Sequence, residues 1–492
     1  PLSFPADFSE RLNDLFNEPL YLDGERQTDW QKVACAMAAQ GRLTLITGGP
    51  GTGKTTTVVR LLALLQQAAL NNAQTLRIQL AAPTGKAAAR LTESIGQQIQ
   101  SLSVTEDVKD NIPSEVSTLH RLLGSLPHTR HFRHNSSNPL VLDVLVIDEA
   151  SMIDLEMMYN VLQALPSHAR LILLGDKDQL ASVEAGSVLG DLCADAQLGY
   201  YSTQTQQQLE TLCNEKLQAQ PWCVGSAEQQ PLAQRTVMLR HSRRFGANSG
   251  IGQLARAVNQ GDWQEAVQLL KTPRQDVNYI SLQQDSRVVF ERLLLGEADT
   301  SEPTNTAVGY SHYLQVLAQL RPEMQGPLHD QVWQQWASQV LQAFDQFRLL
   351  SALRKGEFGV EGLNERVAQL LCSKQLISST QGWYEGRPVL VTHNDYGLGL
   401  MNGDIGIALY VPNDRPGSDG HPVEQVLRVA FPRNDGQGGV RFILPSRLTA
   451  VETVFAMTVH KSQGSEFSHT VLILPVRLNP VLSKELLYTG IT

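Results

Sequence analysis

The 492-residue sequence lacks any apolar run near the ~20 residues a membrane span requires. It is poor in cysteine. Cys35, Cys193, Cys213, Cys223 and Cys372 are scattered, with no C-x-x-C pair. That spacing offers neither a zinc site nor a disulfide framework and points to a reducing, cytoplasmic setting. A surplus of positive charge is also missing: 40 Lys and Arg stand against 49 Asp and Glu, a net charge of −9. Bulk charge therefore argues against nucleic-acid binding unless basic residues line one groove, and it suits a subunit docking on basic partners. The first residues, Pro1-Leu2-Ser3-Phe4, show no initiator Met and no basic-then-apolar leader, and read as lying inside a longer polypeptide. No internal repeat is visible. What is present, 42% hydrophobic and 18% charged residues, suits a globular chain of roughly three domains.

The strongest local signal is Gly48-Gly49-Pro50-Gly51-Thr52-Gly53-Lys54-Thr55, which fits the phosphate-cradling pattern G-x-x-x-x-G-K-[ST]. A buried strand over Leu43–Thr47 precedes it and a helix over Thr55–Gln67 follows it. Glycines let backbone N–H groups close on phosphates, and the helix N-terminus adds positive potential. Lys54 is expected to reach the β- and γ-phosphates of a nucleoside triphosphate, and the Thr55 hydroxyl to bind Mg²⁺, with Thr56 beside them. A second signal is Leu145-Val146-Ile147-Asp148-Glu149, a strand ending in two carboxylates. Asp148 is expected to hold the metal and Glu149 to position or deprotonate the attacking water. A third strand end, Leu174 to Val183, carries Gln179, a residue able to hydrogen-bond a γ-phosphate or its water.

Strand and helix patterns alternate from about 30 to 240, with strands over 77–82, 141–147, 170–175 and 236–240, which implies a parallel sheet. The basic, aromatic stretch 125–135 reads as a small hairpin insertion, the Gln-rich stretch 200–234 as a surface excursion, and 296–306 as a linker. Residues 314–353 read as mostly helical. From 386 to 448 short β-like runs suggest a small barrel or sandwich, after which strand and helix alternate again.

Taken together, these residues resemble the superfamily 1 DNA helicases of the 5′→3′ branch. The matches run in order: Gln31 as an adenine-reading residue, Gly48–Thr55, Ala82–Ala88, Thr118–Leu122, Asp148–Ser151, Gly175–Val183, Leu239–Phe245, Met457–Phe467 and Leu487–Thr492. Within that superfamily, 243–255, Gly356–Val360, Trp383–Val389 and Asn402–Gly406 resemble the RecD family, the alpha subunits of RecBCD (exonuclease V). The resemblance implies an α/β fold of two RecA-like motor domains with an SH3-like insert. On that pattern the first motor domain covers 1–235, the second 236–384 and 450–492, and the insert 385–449; the N-terminal domain of the family is expected to be absent. It also implies ATP-dependent 5′→3′ translocation on single-stranded and tailed duplex DNA, in a heterotrimer with RecB-like and RecC-like subunits that repairs double-strand breaks. Arg244 takes the finger role, delivered from the second motor domain. Arg243 departs from the pattern, since an aromatic often stands there, and leaves two arginines as candidates. Gly464 and Glu466 are expected near the nucleotide. Thr84, Lys86, His120, Thr458 and His460 are expected on the DNA track, where small hydroxyls and imidazoles suit contacts that ignore sequence.

Two other readings compete: a free-standing helicase of the same branch, and a nucleotide-binding scaffold subunit with weak motor activity. Intact Lys54, Thr55, Asp148, Glu149 and Gln179 weigh against the scaffold.

Overall fold

A computed structural model describes residues 7–22, 24–126, 129–181, 188–217, 224–246, 248–281, 287–296, 308–323, 331–395, 397–413, 424–433, 439–475, 477 and 479–492. The chain divides into two units, Pro1–Gly252 and Gln253–Thr492. A two-residue ribbon, β1 (Tyr21–Leu22) with β2 (Glu25–Arg26), precedes the first sheet. That sheet holds β3 (Leu43–Gly48), β4 (Ile78–Ala82), β5 (Val116–Thr118), β6 (Val144–Ile147), β7 (Arg170–Gly175) and β8 (Thr236–Leu239). Its order is β5-β4-β6-β7-β3-β8 and every pairing is parallel.

The strands are continuous apolar runs because both faces are covered. Alternate residues feed two different cores. Val144, Val146, Ile172 and Leu174 pack with the helices Trp30–Gln40 and Lys54–Leu70. Leu145, Ile147, Leu171 and Leu173 pack on the other side with Met158 and Val161 of the helix Leu155–Ala164. Because all six strands run the same way, their C-terminal ends lie along one edge, and that edge carries every motif of the first unit.

The structure corrects two expectations for the first unit. Residues 236–240 do not open the second domain: β8 pairs with β3, Gly48 opposite Leu239, so the first unit runs on to Gly252. The stretch 200–234 is not merely a surface excursion. Its helix Thr203–Cys213 buries Leu209 and Cys213 in the first core, and the Tyr201 hydroxyl donates to the Thr236 carbonyl at 2.8 Å; residues 218–223 lie outside the described residues. Residues 314–353 are mostly helical, as expected, and end in β9 (Phe347–Ser351), fully buried and central to its sheet. The proposed linker falls almost wholly outside the described residues, as do Ser182 and Val183.

In the second unit β9 is flanked in parallel by β15 (Ala456–Thr458) and β16 (His469–Ile473). A five-stranded antiparallel sheet is formed by β10 (Pro388–Val391), β11 (Ile405–Pro412), β12 (Gln425–Pro432), β13 (Val440–Ile443) and β14 (Val451–Thr453), in the order β13-β12-β11-β10-β14. β14 pairs with β10, Val389 opposite Thr453, so this insert extends past the expected end at 449. Val389, Val391, Ala408, Val429, Phe431 and Ile443 form its own small core.

Candidate nucleotide and nucleic-acid site

The phosphate loop leaves β3 and turns into the helix Lys54–Leu70. Gly51 and Gly53 hold φ of +73° and +82°, a region that favours glycine. A Cβ at 53 would also stand 2.1 Å from Gln31 Nε2, so it would displace the Gln31 amide from its place beside the loop. Lys54 Nζ donates to the carbonyls of Gly48 at 2.8 Å and Gly49 at 3.3 Å, which draws the ammonium over the loop. Thr52 Oγ1 donates to Gly49 O at 2.8 Å, and Thr57 Oγ1 to Gly53 O at 2.9 Å. Pro50 carries the crown of the loop, Thr55 and Thr56 the first helical turn.

Gln31 lies on the first turn of the helix Trp30–Gln40, whose N-cap Asp29 accepts the amides of Gln31 and Lys32. Its Nε2 donates to Thr52 O at 3.0 Å, while its buried Oε1 has no partner. An orphaned buried acceptor is costly unless a ligand supplies a donor. The exocyclic amine of adenine is such a donor, so the residues present fit an adenine nucleotide.

Asp148 and Glu149 end β6, beside β7. Asp148 is 8% exposed, and its Oδ1 accepts the amide of Glu149 at 2.8 Å. Glu149 holds the left-handed conformation, φ 53° and ψ 36°, unusual for a side-chain-bearing residue. Burial raises its carboxyl well above the ordinary carboxylate range, the Asp148 charge adds to that, and Lys54 and Arg90 oppose it. On the adjacent strand end, Asp176 is 1% exposed and accepts the amide of Asp178 at 3.1 Å, and the Lys177 amide donates to Thr47 Oγ1 at 3.0 Å. Gln179 closes that turn through its own amide, which donates to Asp176 O at 3.2 Å.

Arg244 requires a correction. It follows β8 inside the first unit, on a loop laid directly against the phosphate loop, and is not delivered from the second unit. The Arg243 amide donates to Gly51 O at 2.8 Å, and Ser242 Oγ donates to Pro50 O at 2.8 Å. β8 is the outermost strand beside β3, so the chain leaving its C-terminal end must pass the phosphate loop.

The nucleic-acid candidates of the first unit stand on the far strands of the same edge. Thr84 follows β4 and caps the helix Gly85–Gln100, its Oγ1 accepting the amide of Ala87 at 3.2 Å; Lys86 lies in that first turn. His120 follows β5, exposed, its ring 5.9 Å from Phe132 in an edge-to-face contact. Phe132 belongs to the expected hairpin, whose bridge pairs Ser125 with Phe132; Pro127 and His128 lie outside the described residues. Three strand steps of about 4.8 Å separate β3 from β4, so phosphate loop and Thr84 stand roughly 14 Å apart along the edge. In the second unit Thr458 ends β15 and caps the short helix Val459–Ser462, accepting the amide of Lys461 at 3.2 Å. Burial lowers the pKa of His460, which favours the neutral imidazole. Gly464, with φ +71°, and the exposed Glu466 follow on the next loop.

Sequence reasoning missed Ser242, Thr47 and Asp176. Thr47 meets Lys177 across 130 positions and Ser242 meets Pro50 across 192, separations that leave no local pattern.

No helix among the described residues is long and apolar enough to cross a membrane, and no group of three or more His, Cys, Asp or Glu there is placed to hold a metal alone. Residues 31–185 match the AAA domain family and residues 453–492 the UvrD-like helicase C-terminal domain. Over 482 residues, 96% of this chain and 69% of the relative, the sequence is 40% identical to the RecBCD enzyme subunit RecD of Haemophilus influenzae. It is 38% identical over 464 residues to the RecBCD enzyme subunit RecD of Mycolicibacterium smegmatis, spanning 94% of this chain and 68% of the relative. It is also 29% identical over 458 residues to the ATP-dependent RecD2 DNA helicase of Deinococcus radiodurans, spanning 92% of this chain and 46% of that protein.

Proposed function

The chain belongs to the RecD family of RecBCD enzyme subunits, and from that premise we propose an ATP-driven motor that moves 5′→3′ on single-stranded DNA as part of a heterotrimer with RecB-like and RecC-like partners. The observation that carries the reading is the shared strand edge of the first unit, where the phosphate loop, Asp148 with Glu149, and Gln179 gather on β3, β6 and β7. ATP binds there with Gln31 on the base and Gly48, Gly49, Gly51, Gly53 and Thr52 around the phosphates. Lys54 turns from the loop carbonyls to the β- and γ-phosphates. Thr55 and Asp148 hold Mg²⁺, which when bound neutralises phosphate charge. Glu149 takes a proton from the attacking water, Gln179 orients that water, and Arg244 answers charge developing on the transferred group. Thr84, Lys86, His120, Thr458 and His460 contact DNA backbone and sugar. The two motor domains are 1–252, and 253–492 without the antiparallel insert.

The test is ATP hydrolysis on 5′-tailed and 3′-tailed duplexes, with and without the RecB-like and RecC-like subunits. The proposal expects DNA-stimulated turnover and unwinding only from the 5′ tail. Equal use of both tails would overturn the direction. Turnover indifferent to DNA would favour a scaffold.

A further inference from the structure

The contact between the phosphate loop and the loop that follows β8 is a built clasp. Ser242 is its pivot. The hydroxyl donates outward to the Pro50 carbonyl at 2.8 Å, and the same oxygen accepts the amides of Arg244 at 3.3 Å and Phe245 at 3.2 Å. One side chain thus uses its donor on the phosphate loop and its acceptor capacity on the backbone of the arginine loop. A second bond runs beside it, from the Arg243 amide to Gly51 O at 2.8 Å. The fit leaves no slack. A Cβ at Gly51 would stand 2.4 Å from Arg244 Cβ, 2.9 Å from the Arg244 amide and 2.9 Å from Ser242 Oγ. Gly51 is therefore glycine twice over, for its φ of +73° and for the backbone lying on it.

The two carbonyls held in this way belong to the crown of the phosphate loop. Its inner N–H groups face phosphate when nucleotide binds, so any shift of the crown moves Pro50 O and Gly51 O. The clasp passes that shift to the backbone of residues 242–245 without an intervening side chain other than Ser242. We infer that Ser242 is a positioning residue for hydrolysis: it sets where Arg244 stands relative to the phosphate loop and ties that position to the state of the loop. The inference rests on the proposed role of Arg244 and deepens it. An arginine that answers transition-state charge must be held to within a fraction of an ångström, and the clasp fixes the backbone from which its side chain extends.

The experiment is a double-mutant cycle in the full chain, with single-stranded DNA present. It reads kcat for ATP and, separately, the affinity for a fluorescent ADP. Ser242→Ala removes the pivot and is expected to lower kcat roughly fivefold to tenfold, the worth of a net hydrogen bond, with ADP affinity within about twofold. Ser242→Thr keeps the hydroxyl and should restore kcat to within about twofold. Adding Ser242→Ala to Arg244→Ala should cost nothing further, because the pivot acts only through the arginine. The inference is overturned if Ser242→Ala turns over like the wild type, if Ser242→Thr loses as much as Ser242→Ala, or if the two losses multiply. It is equally overturned if ADP affinity falls in step with kcat, since Ser242 would then support nucleotide binding itself. Near-normal turnover of Arg244→Ala alone would remove the role of Arg244, and the inference with it, while leaving the remaining phosphate-site assignments standing.

Discussion

At the scale of single residues, Lys54 and Glu149 stand in contrasting environments. Lys54 is half-buried and bonded to two loop carbonyls, contacts that water or nucleotide oxygens can replace. Lys54→Gln should therefore leave folding intact and abolish turnover, as measured by thermal melting and phosphate release; hydrolysis near the wild-type rate would refute the phosphate-loop assignment. Glu149 is held between burial and the Asp148 charge, which raise its pKa, and the Lys54 charge, which lowers it. A base must be ionised, so kcat/KM, which reports the free enzyme, should rise with pH through that raised pKa. Stability runs the other way. The folded state holds its proton to higher pH than the unfolded chain, so stability from this group falls as pH climbs between the ordinary carboxylate range and the raised value. Glu149→Gln should cut turnover by roughly two orders of magnitude, erase the rise in kcat/KM, and raise the melting temperature of the ligand-free protein at alkaline pH more than at pH 4. Unchanged turnover would place the base elsewhere.

At the scale of elements, helix ends organise much of the first unit. The helix Trp30–Gln40, which carries Gln31, has a capped start but no basic residue in its last turn. Its terminal carbonyls are served instead by Arg170, the first residue of β7. The Arg170 Nη1 donates to Ala38 O, Ala39 O and Gly41 O at 3.1, 2.8 and 2.7 Å. Burial lowers the pKa of this guanidinium, yet a cation at a helix C-terminus with three acceptors remains favourable. Arg170→Met should fill the same volume and leave those carbonyls unserved, at a cost of about 2–4 kcal/mol in denaturant unfolding. An unfolding midpoint equal to wild type would show that water serves them as well. Thr84, Thr118 and Thr458 share another device: each stands at or just past the end of a strand and caps the helix that follows. In Thr84 and Thr458 the capping bond uses the hydroxyl oxygen as acceptor, from the amides of Ala87 and Lys461.

At the scale of the whole molecule, charge balance shapes how DNA binding should behave. A chain of net charge −9 repels a polyanion at long range, so affinity must come from a few cations close to the backbone. Binding to single-stranded DNA is expected to ignore base sequence and weaken steeply with salt. Lys86→Ala should weaken it equally on all sequences and lower the slope of log affinity against log salt by about 0.7 to 1. A salt-insensitive affinity, or a pronounced base preference, would contradict a backbone track.

Much of the site was legible before the fold was known. A glycine-rich loop between an apolar strand and a helix, and paired acids ending another apolar run, follow from local chemistry alone. Phosphate binding needs particular residue types within eight consecutive positions, and strand ends announce themselves where buried residues give way to polar ones. The four apolar runs of the insert before β14 were equally visible, bounded by Gly, Pro, Asn and Asp. Three things lay beyond sequence. Phe347–Ser351 follows a 15-residue helix, and a short apolar run has no period long enough to separate strand from helix, so only its pairing with Ala456–Thr458 and His469–Ile473 made it a central strand. The Gln-rich helix Thr203–Cys213 looked solvated because composition averages over faces, whereas packing selects one. Arg244 was assigned to the second domain by resemblance, with the boundary set before Thr236. Parallel pairing with Leu45–Gly48 settled that choice, since hydrogen bonds between strands join positions almost 200 residues apart and leave no trace in the order of the chain.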